Sequence, residues 1–404
     1  MERQLSIDTL RKIATASSAL VKGNSVLPIY DHVLIENDRV VLGNATAQLE
    51  WALDAEERSF GFAPQAYPAR DLERIAKSLP DDALVEFGEQ GQIRCGRSRF
   101  RLPVYDGAQY PVRDDPLKNA CIRIETQDLD RIFPTLRRCA AKNDARTFLN
   151  GIHWQIRRDA QRETSLLVLE ATDGHRAARF SLEYTPPLDS ANDDSATCRP
   201  QDCRPQDCRP QDPQGLDAIL PVDGLSAWMK LLASRKIAEF SLAQTRSGVL
   251  FQGGGLRLWL TAVDGHYPSL DTILAQLERR PDTLSMSIAD FQRALTLATI
   301  GVGESLAVTL STTPENLLSV AAKGSERDAE DQIPAQWTSS NPLRYGFNVQ
   351  YLMDLVDSVQ ETSRDAVDTE DPRMALRFDA SAKDPSSVIA EVPGGVLVVM
   401  PIRQ

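Results

Sequence analysis

The chain runs through one order of elements three times, and a repeat of that size constrains the architecture before any single residue does. Ile7, Leu10, Ile13, Ala14, Leu20 and Val21 recur at helical spacing. So do Leu129, Ile132, Phe133, Leu136 and Ala140, and then Ile288, Phe291, Ala294, Leu295 and Ala298. Strand-like runs follow each helix, among them His32 to Glu36 and Val40 to Leu42. A second helix comes next in each repeat, at about Ala69 to Leu79, Val222 to Ser234 and Val349 to Val359. Further strands close the repeats: Leu84 to Phe87 and Arg99 to Val104, Glu239 to Leu242 and Leu256 to Ala262, and Ala375 to Phe378 and Val396 to Met400. Helix, strands, helix, strands predicts an α+β fold with mostly antiparallel sheet. Pro134 falls inside a helical pattern and predicts a kink or an early end there.

Short motifs carry the same repeat. Ala171-Thr172-Asp173-Gly174-His175-Arg176 lies between the apolar run Ser165 to Glu170 and a returning run Ala177 to Leu182. Asp-Gly between two such runs predicts a hairpin, because Gly174 takes positive φ without steric cost. Weaker echoes are Val41 to Thr46 and Leu317 to Gly324; aligning Ala45, Ala171 and Ala321 gives offsets of 126 (171 − 45) and 150 (321 − 171) residues. A second motif, Asp106-Gly107-Ala108-Gln109-Tyr110-Pro111, returns as Asp264-Gly265-His266-Tyr267-Pro268.

A length of 404 residues allows about two to four domains. No apolar run approaches the ~20 residues that span a bilayer, and Met1 to Gln4 leads into a polar amphipathic helix, so a soluble intracellular protein is expected. The net charge of −12 excludes nucleic-acid binding through bulk charge and leaves room for one basic surface. Candidates on the predicted helices are Arg11, Lys12, Arg74, Lys77, Arg131, Arg137, Arg138, Lys230, Arg235 and Arg293, with Lys22, Lys142 and Arg146 near helix ends. Cys95, Cys121 and Cys139 are isolated and read as buried thiols. Cys198, Cys203 and Cys208 belong to a threefold Cys-Arg-Pro-Gln-Asp repeat whose spacing is a poor zinc pattern. The surrounding Pro186 to Gly215, rich in Pro, Asp, Ser and Gln, predicts a disordered surface loop.

Motifs for chemistry are missing from the sequence. It contains neither a Walker-type phosphate loop nor a dinucleotide fingerprint. Gly253-Gly254-Gly255 reads as a tight turn. His32, His153, His175 and His266 form no metal-ligand pair at helical spacing, and no carboxylate cluster has the form of a two-metal site. No metal or other cofactor is therefore expected. A hydrolase built on Asp173 and His175 stays open as an alternative. It requires a third catalytic group and a cleft within hydrogen-bond reach of His175.

The order of these pieces resembles the bacterial sliding clamp, the β subunit of DNA polymerase III, over nearly the whole chain. The resemblance is carried by Leu27-Pro28-Ile29-Tyr30, Gly96 to Phe100, Phe148-Leu149-Asn150-Gly151 ahead of Ala171 to Arg176, and Asp264 to Pro268. It continues through Gly346 to Leu352 and the terminal Val398-Val399-Met400-Pro401-Ile402-Arg403. It implies three similar domains, at 1–119, 120–280 with a loop insertion at about 186–215, and 281–404. Two chains would close head to tail into a ring, helices inside and antiparallel sheets outside. The implied protein is a cytoplasmic, non-catalytic processivity factor that encircles duplex DNA. It would be opened by a clamp-loader ATPase and bind polymerase and other proteins through a short clamp-binding peptide. The basic residues named above would line the hole.

Carried over residue by residue, the family's peptide pocket falls on Leu149, Thr172, Gly174, His175, Arg176, Pro268, Ile273, Asn348, Tyr351, Ser387, Val398, Val399, Met400, Pro401 and Arg403. Its ring seam falls on Arg99, Phe100 and Leu102 of one chain and on Ile300, Glu326, Asp328, Glu330 and Asp331 of the other. Three positions depart from the family pattern by losing bulk: Ala177 for Leu, Thr272 for Arg and Ser305 for Phe. Lys22-Gly23-Asn24 retains only part of a basic DNA-touching loop. A clamp that fails to close, acting as an adaptor or decoy for clamp-binding peptides, is the second alternative.

Overall fold

Among the described residues, a strand runs into an α-helix without a break at six places. The structure, a computed structural model, describes residues 3–402 apart from 22, 24, 26, 60, 114, 116, 118–121, 160–163, 185–214, 276–279, 304–305, 365–370 and 381–386. Lys22, Cys121, Ser305, Arg403 and the Cys-Arg-Pro-Gln-Asp repeat therefore lie outside the described residues. Seven helices are described: α1 Ile7–Leu20, α2 Ala69–Ser78, α3 Thr126–Cys139, α4 Val222–Arg235, a single turn α5 Asp271–Leu274, α6 Ile288–Ala298 and α7 Val349–Thr362. Every helix except α5 begins on the residue after a strand ends; α1 follows Arg3–Ser6 and α7 follows Arg344–Asn348. Three strands then follow each of these six helices, as His32–Ile35, Arg39–Gly43 and Ala47–Ala52 follow α1, and α2 has a fourth, the two-residue Tyr105–Asp106. The three expected repeats thus resolve into six copies of one strand–helix–three-strand piece.

Local chemistry explains the starts. Ser6, Ser287 and Asn348 each accept a hydrogen bond from a first-turn amide, those of Thr9, Asp290 and Gln350, and so satisfy a donor that the helix leaves unpaired. Pro134 neither breaks nor shortens α3, which keeps 14 residues. The helix buries Leu129, Ile132, Phe133 and Leu136 on one face, and that packing outweighs the one lost backbone bond.

Neighbouring copies exchange their first strands. Arg3–Ser6, from the first copy, pairs antiparallel with Leu84–Phe87 of the second; Gln65–Pro68, from the second, pairs with His32–Ile35 of the first. The fifth and sixth copies do the same, through Asp282–Ser287 with Arg373–Phe378 and Arg344–Asn348 with Ala307–Thr312.

The described residues form two compact units, 1–127 with 184–263 and 128–183 with 264–404. Within the first, strand Ala47–Ala52 pairs with Leu256–Thr261, and Trp228, Phe240 and Phe251 meet in its core at ring separations of 5.8 to 6.1 Å. Within the second, Arg176–Leu182 pairs with Gly395–Val399, and Tyr345, Phe347 and Phe378 cluster at 5.6 to 6.5 Å.

All three echoed hairpins occupy the same place, between the second and third strands after a helix. In the first of them, Asn44 Oδ1 accepts from Thr46 N, Thr46 Oγ1 and Ala47 N, each at 2.9 Å. Its Nδ2 donates to Leu20 O at the end of α1, at 2.9 Å. Asn44→Ala is expected to cost about 1–2 kcal/mol, because it strips partners from backbone groups that are part-buried. Urea denaturation with an unchanged m-value is the check.

Candidate functional site

The second unit carries a narrow open cleft of about 10 Å³, lined by the end of α3, one face of α7 and two paired strands. From α3 come Arg138 and Cys139; from α7 come Tyr351, Asp354, Leu355 and Ser358; from the strands come Arg176, Ala177, Leu397, Val398 and Val399. The walls are apolar below and charged at the rim. Ala177 and Val398 are cross-strand partners, both buried.

The hairpin beside the cleft forms as its sequence predicts. Strands Thr164–Thr172 and Arg176–Leu182 pair with Thr172 opposite Ala177, and Gly174 sits at φ +91°. Asp173 is spent on the turn. Its Oδ1 accepts the amides of His175 and Arg176, both at 2.9 Å, and its Oδ2 accepts Arg176 Nε at 3.0 Å. Thr172 Oγ1 donates to Arg176 O at 2.7 Å. The carboxylate that a hydrolase would need thus braces backbone, while the His175 ring stacks against Tyr351 at 6.3 Å. The carbonyl of His175 accepts Met400 N at 2.8 Å, which ties the last strand to the hairpin tip.

Arg176 is the electrostatic centre. Its guanidinium pairs with Asp354 on α7 and lies 4.5 Å from the Tyr351 ring centroid. Burial opposes its charge, yet Asp354 and Asp173 hold its pKa above the ordinary arginine range. Burial pushes the Cys139 thiol up to about 12, so it forms wall and not nucleophile. Arg138 pairs with Glu361 at 2.5 Å across the far end of the cleft.

Other residues expected at the pocket fall in several places. Leu149 is buried; its carbonyl accepts Ala141 N at 2.9 Å, just past α3. Asn348 caps α7, and Ile402 N donates to Gly346 O at 2.8 Å beside it. Pro268 is exposed and Pro401 half-buried. Ile273 and Leu274 of α5 pack on a cluster of Ala177, Leu270, Ile389 and Val398. Ser387 is buried and Arg280 NH2 donates to its hydroxyl at 2.9 Å. Asp354, Leu355 and Ser358 were not anticipated. With Tyr351 they follow an i, i+3, i+4, i+7 stripe along α7, and that periodicity was the available signal.

A charged row runs across the sheet next to this cluster. His153, Glu170 and Arg179 are successive cross-strand partners. Glu170, buried, meets His153 Nδ1 at 3.2 Å and Arg179 Nε at 2.5 Å. Arg179 and Arg157 both reach Asp271 Oδ1, at 2.6 and 2.9 Å. Burial works to raise the Asp271 carboxyl, but hydrogen bonds from Arg179, Arg157 and Ser269 hold it down at about 2, so it stays ionised through the neutral range.

Most basic candidates have acidic neighbours. Arg11 pairs with Asp81, Arg74 with Asp71, Lys77 with Glu73, Arg131 with Asp128, Arg146 with Asp144, and Arg293 with Asp290 and Asp331. Arg235 lies over the Trp51 ring at 5.2 Å, and burial lowers its pKa. Lys12, Arg137, Lys142 and Lys230 are exposed and without an ion partner among the described residues.

Of the seam candidates, Arg99 and Phe100 are exposed on Ser98–Arg101, the terminal strand of a four-stranded sheet, and Leu102 follows half-buried. Ile300 is 58 % exposed after α6. Strand Asp328–Trp337 pairs along its first part with Leu317–Lys323 and only at Ala335, Gln336 and Trp337 with Asp282–Ser287. Residues 328–334 thus have one unpaired side among the described residues. Glu326, Asp328 and Glu330 are exposed there; Ser319 Oγ donates to Glu330 at 2.8 Å, and Asp331 faces Arg293.

No family model matches the chain. The β sliding clamp of Caulobacter vibrioides is 25% identical over 400 residues, 95% of each chain. That of Vibrio cholerae is 23% identical over 411 residues, covering 100% of this chain and 99% of its own. A crystal structure of the DNA polymerase III subunit beta from Pseudomonas aeruginosa matches along 100% of both chains with a TM-score of 0.79, at 21% identity. The chain is thus similar to β sliding clamps from end to end in sequence, and it shares the fold of the DNA polymerase III subunit beta.

Proposed function

We propose that this chain is a DNA polymerase processivity clamp: two copies close head to tail around duplex DNA, and the cleft between α3, α7 and the last strand takes the peptide of a polymerase or another client. The observation that carries the reading is the cleft itself, apolar at Ala177, Leu397, Val398 and Val399 and bordered by Arg176, with the exposed Met400 next in the chain after Val399. Such a surface buries the Leu and Phe anchors of an extended peptide while Arg176 and the backbone at Met400 fix its ends. The three domains would run 1–119, 120–280 and 281–404, each made of two of the six copies. The protein would work in the cytoplasm.

Enclosure explains the acidic chain. A ring held by topology needs only weak, sequence-independent phosphate contacts, and strong ones would stop it sliding. Lys12, Arg137, Lys142 and Lys230 are ready for such contacts. The paired arginines can trade a surface carboxylate for a phosphate, since exposed ion pairs are worth only ~0–1 kcal/mol. Ring closure would join Ser98–Arg101 to the unpaired side of 328–334, with Arg99 against Asp328 and Glu330, so that opposite charges set the register. Opening would be left to a loader ATPase.

After loading by such an ATPase, the protein should stay on nicked circular DNA and run off the linearised form, its lifetime differing by about 10-fold or more. Enclosure acts on every site of the tethered partner at once. Equal loss from both DNAs would refute enclosure and leave the adaptor reading.

A further inference from the structure

We infer that Asp271 is a positioning residue: it latches the segment Tyr267–Leu274 onto the sheet and thereby sets the apolar wall against which a client peptide binds. The inference rests on the peptide-binding reading of the cleft.

The segment crosses one face of the sheet and is held at three points. Tyr267 stacks on His153 at 5.1 Å, and its Oη accepts Thr172 N at 2.8 Å. Asp271 takes Arg157 and Arg179 on one oxygen and Ser269 Oγ, at 3.0 Å, on the other. Leu270, Ile273 and Leu274 cover Ala177, Ile389 and Val398.

Only the middle point is charged, and it carries the geometry. A four-residue helical turn has no stability of its own in water. Here the turn starts at Asp271, so its first carboxylate is anchored to two strands of the sheet by one N–H from each of two guanidinium groups. Ile273 is two residues further on, so release of that anchor loosens its seat on the cluster. Ala177 and Val398 belong both to the cluster under Ile273 and to the lining of the cleft. Movement of the turn therefore reaches the cleft through two buried side chains without any contact between Asp271 and the peptide. The small Ala177 sharpens the dependence, because it fills little of the space beneath the turn and the wall takes its shape from what lies over it.

An uncharged probe separates this from a merely structural role. Acetylated and amidated Gln-Leu-Ser-Leu-Phe has no charge, so the effect of salt on its own solvation is common to every variant and cancels when variants are compared. Titration calorimetry on the full chain should show Asp271→Asn binding it about 5-fold or more weakly. Asp271→Glu should recover much of the loss, and Arg157→Gln, which removes one guanidinium of two, should lie between. Raising salt from about 0.1 M to about 1 M should weaken the unaltered chain relative to Asp271→Asn, because screening acts on the latch. Amides 270–275 should exchange faster in the variant. Affinities within about two-fold of the unaltered chain at both salt levels would overturn the inference, even if the variant melts earlier. Failure of the unaltered chain to bind the peptide at all would sink the peptide reading and this inference with it.

Discussion

Arg176→Ala is expected to lose both stability and partner binding, the largest combined effect of any single change at the cleft. The side chain is 13 % exposed, and its removal leaves Asp354, itself 18 % exposed, with Gln350 Nε2 at 3.1 Å but no countercharge there, and deprives Asp173 of a partner. Leaving a largely buried carboxylate unpaired costs roughly 3 kcal/mol. For a unit of this size that lowers the melting midpoint by about 6–12 °C. Arginine at the centre of a desolvated contact typically contributes ~2 kcal/mol or more to binding, so the peptide should bind about 30-fold more weakly. Met400→Ala is the informative companion. Met400 is 40 % exposed and engages the hairpin through its amide, not its side chain. Its truncation should weaken the peptide while changing stability by no more than about 0.5 kcal/mol. Calorimetric scanning beside peptide titration checks both; an Arg176→Ala protein that melts normally would contradict the ion-pair account.

Ile300→Glu should separate the two copies. In the single chain the residue is 58 % exposed after α6, so a glutamate there costs little. Within a seam it would bury a carboxylate close to Glu326, Asp328 and Glu330, where like charge adds to the desolvation cost. The dimer should weaken by about 100-fold or more. Sedimentation at micromolar concentration would then show a monomer, and retention on circular DNA would disappear while peptide binding stays intact. A dimer that survives the substitution would move the seam elsewhere. The charge register has its own test: Asp328→Arg with Glu330→Arg should weaken the dimer, and adding Arg99→Glu should restore part of it.

Features that depend on near neighbours could be read in the sequence. The helical stripes of α1, α4 and α7 were legible to within a few residues, because apolar spacing of 3.6 needs no knowledge of the partner surface. The Asp173-Gly174 turn was legible because its chemistry is local: one carboxylate and one positive φ. Long-range pairing was not. The exchange of first strands between copies, Arg3–Ser6 with Leu84–Phe87 and Gln65–Pro68 with His32–Ile35, has no signature along the chain. His153, Glu170 and Arg179 look scattered in sequence and become a charged row only through the registers of two strand pairs. Asp271 gains its meaning the same way, from arginines 114 and 92 residues distant. Pro134 misled as to the helix's length, because a rule about isolated helices meets a helix whose burial decides.

The seamless passage from strand into helix also says where this chain can change length. An added or lost residue at such a junction would turn the following helix by about 100° and carry its apolar stripe off the sheet. Insertions and deletions are therefore disfavoured at these junctions and tolerated better elsewhere, as in the joints between copies. Those joints vary widely: 34 residues separate Leu182 from Asp217 (217 − 182 − 1), whereas six separate Trp337 from Arg344 (344 − 337 − 1). Evolution can lengthen or trim this protein at the joints while every helix keeps its bearing, and descendants should differ in their joints long before they differ in their count of copies.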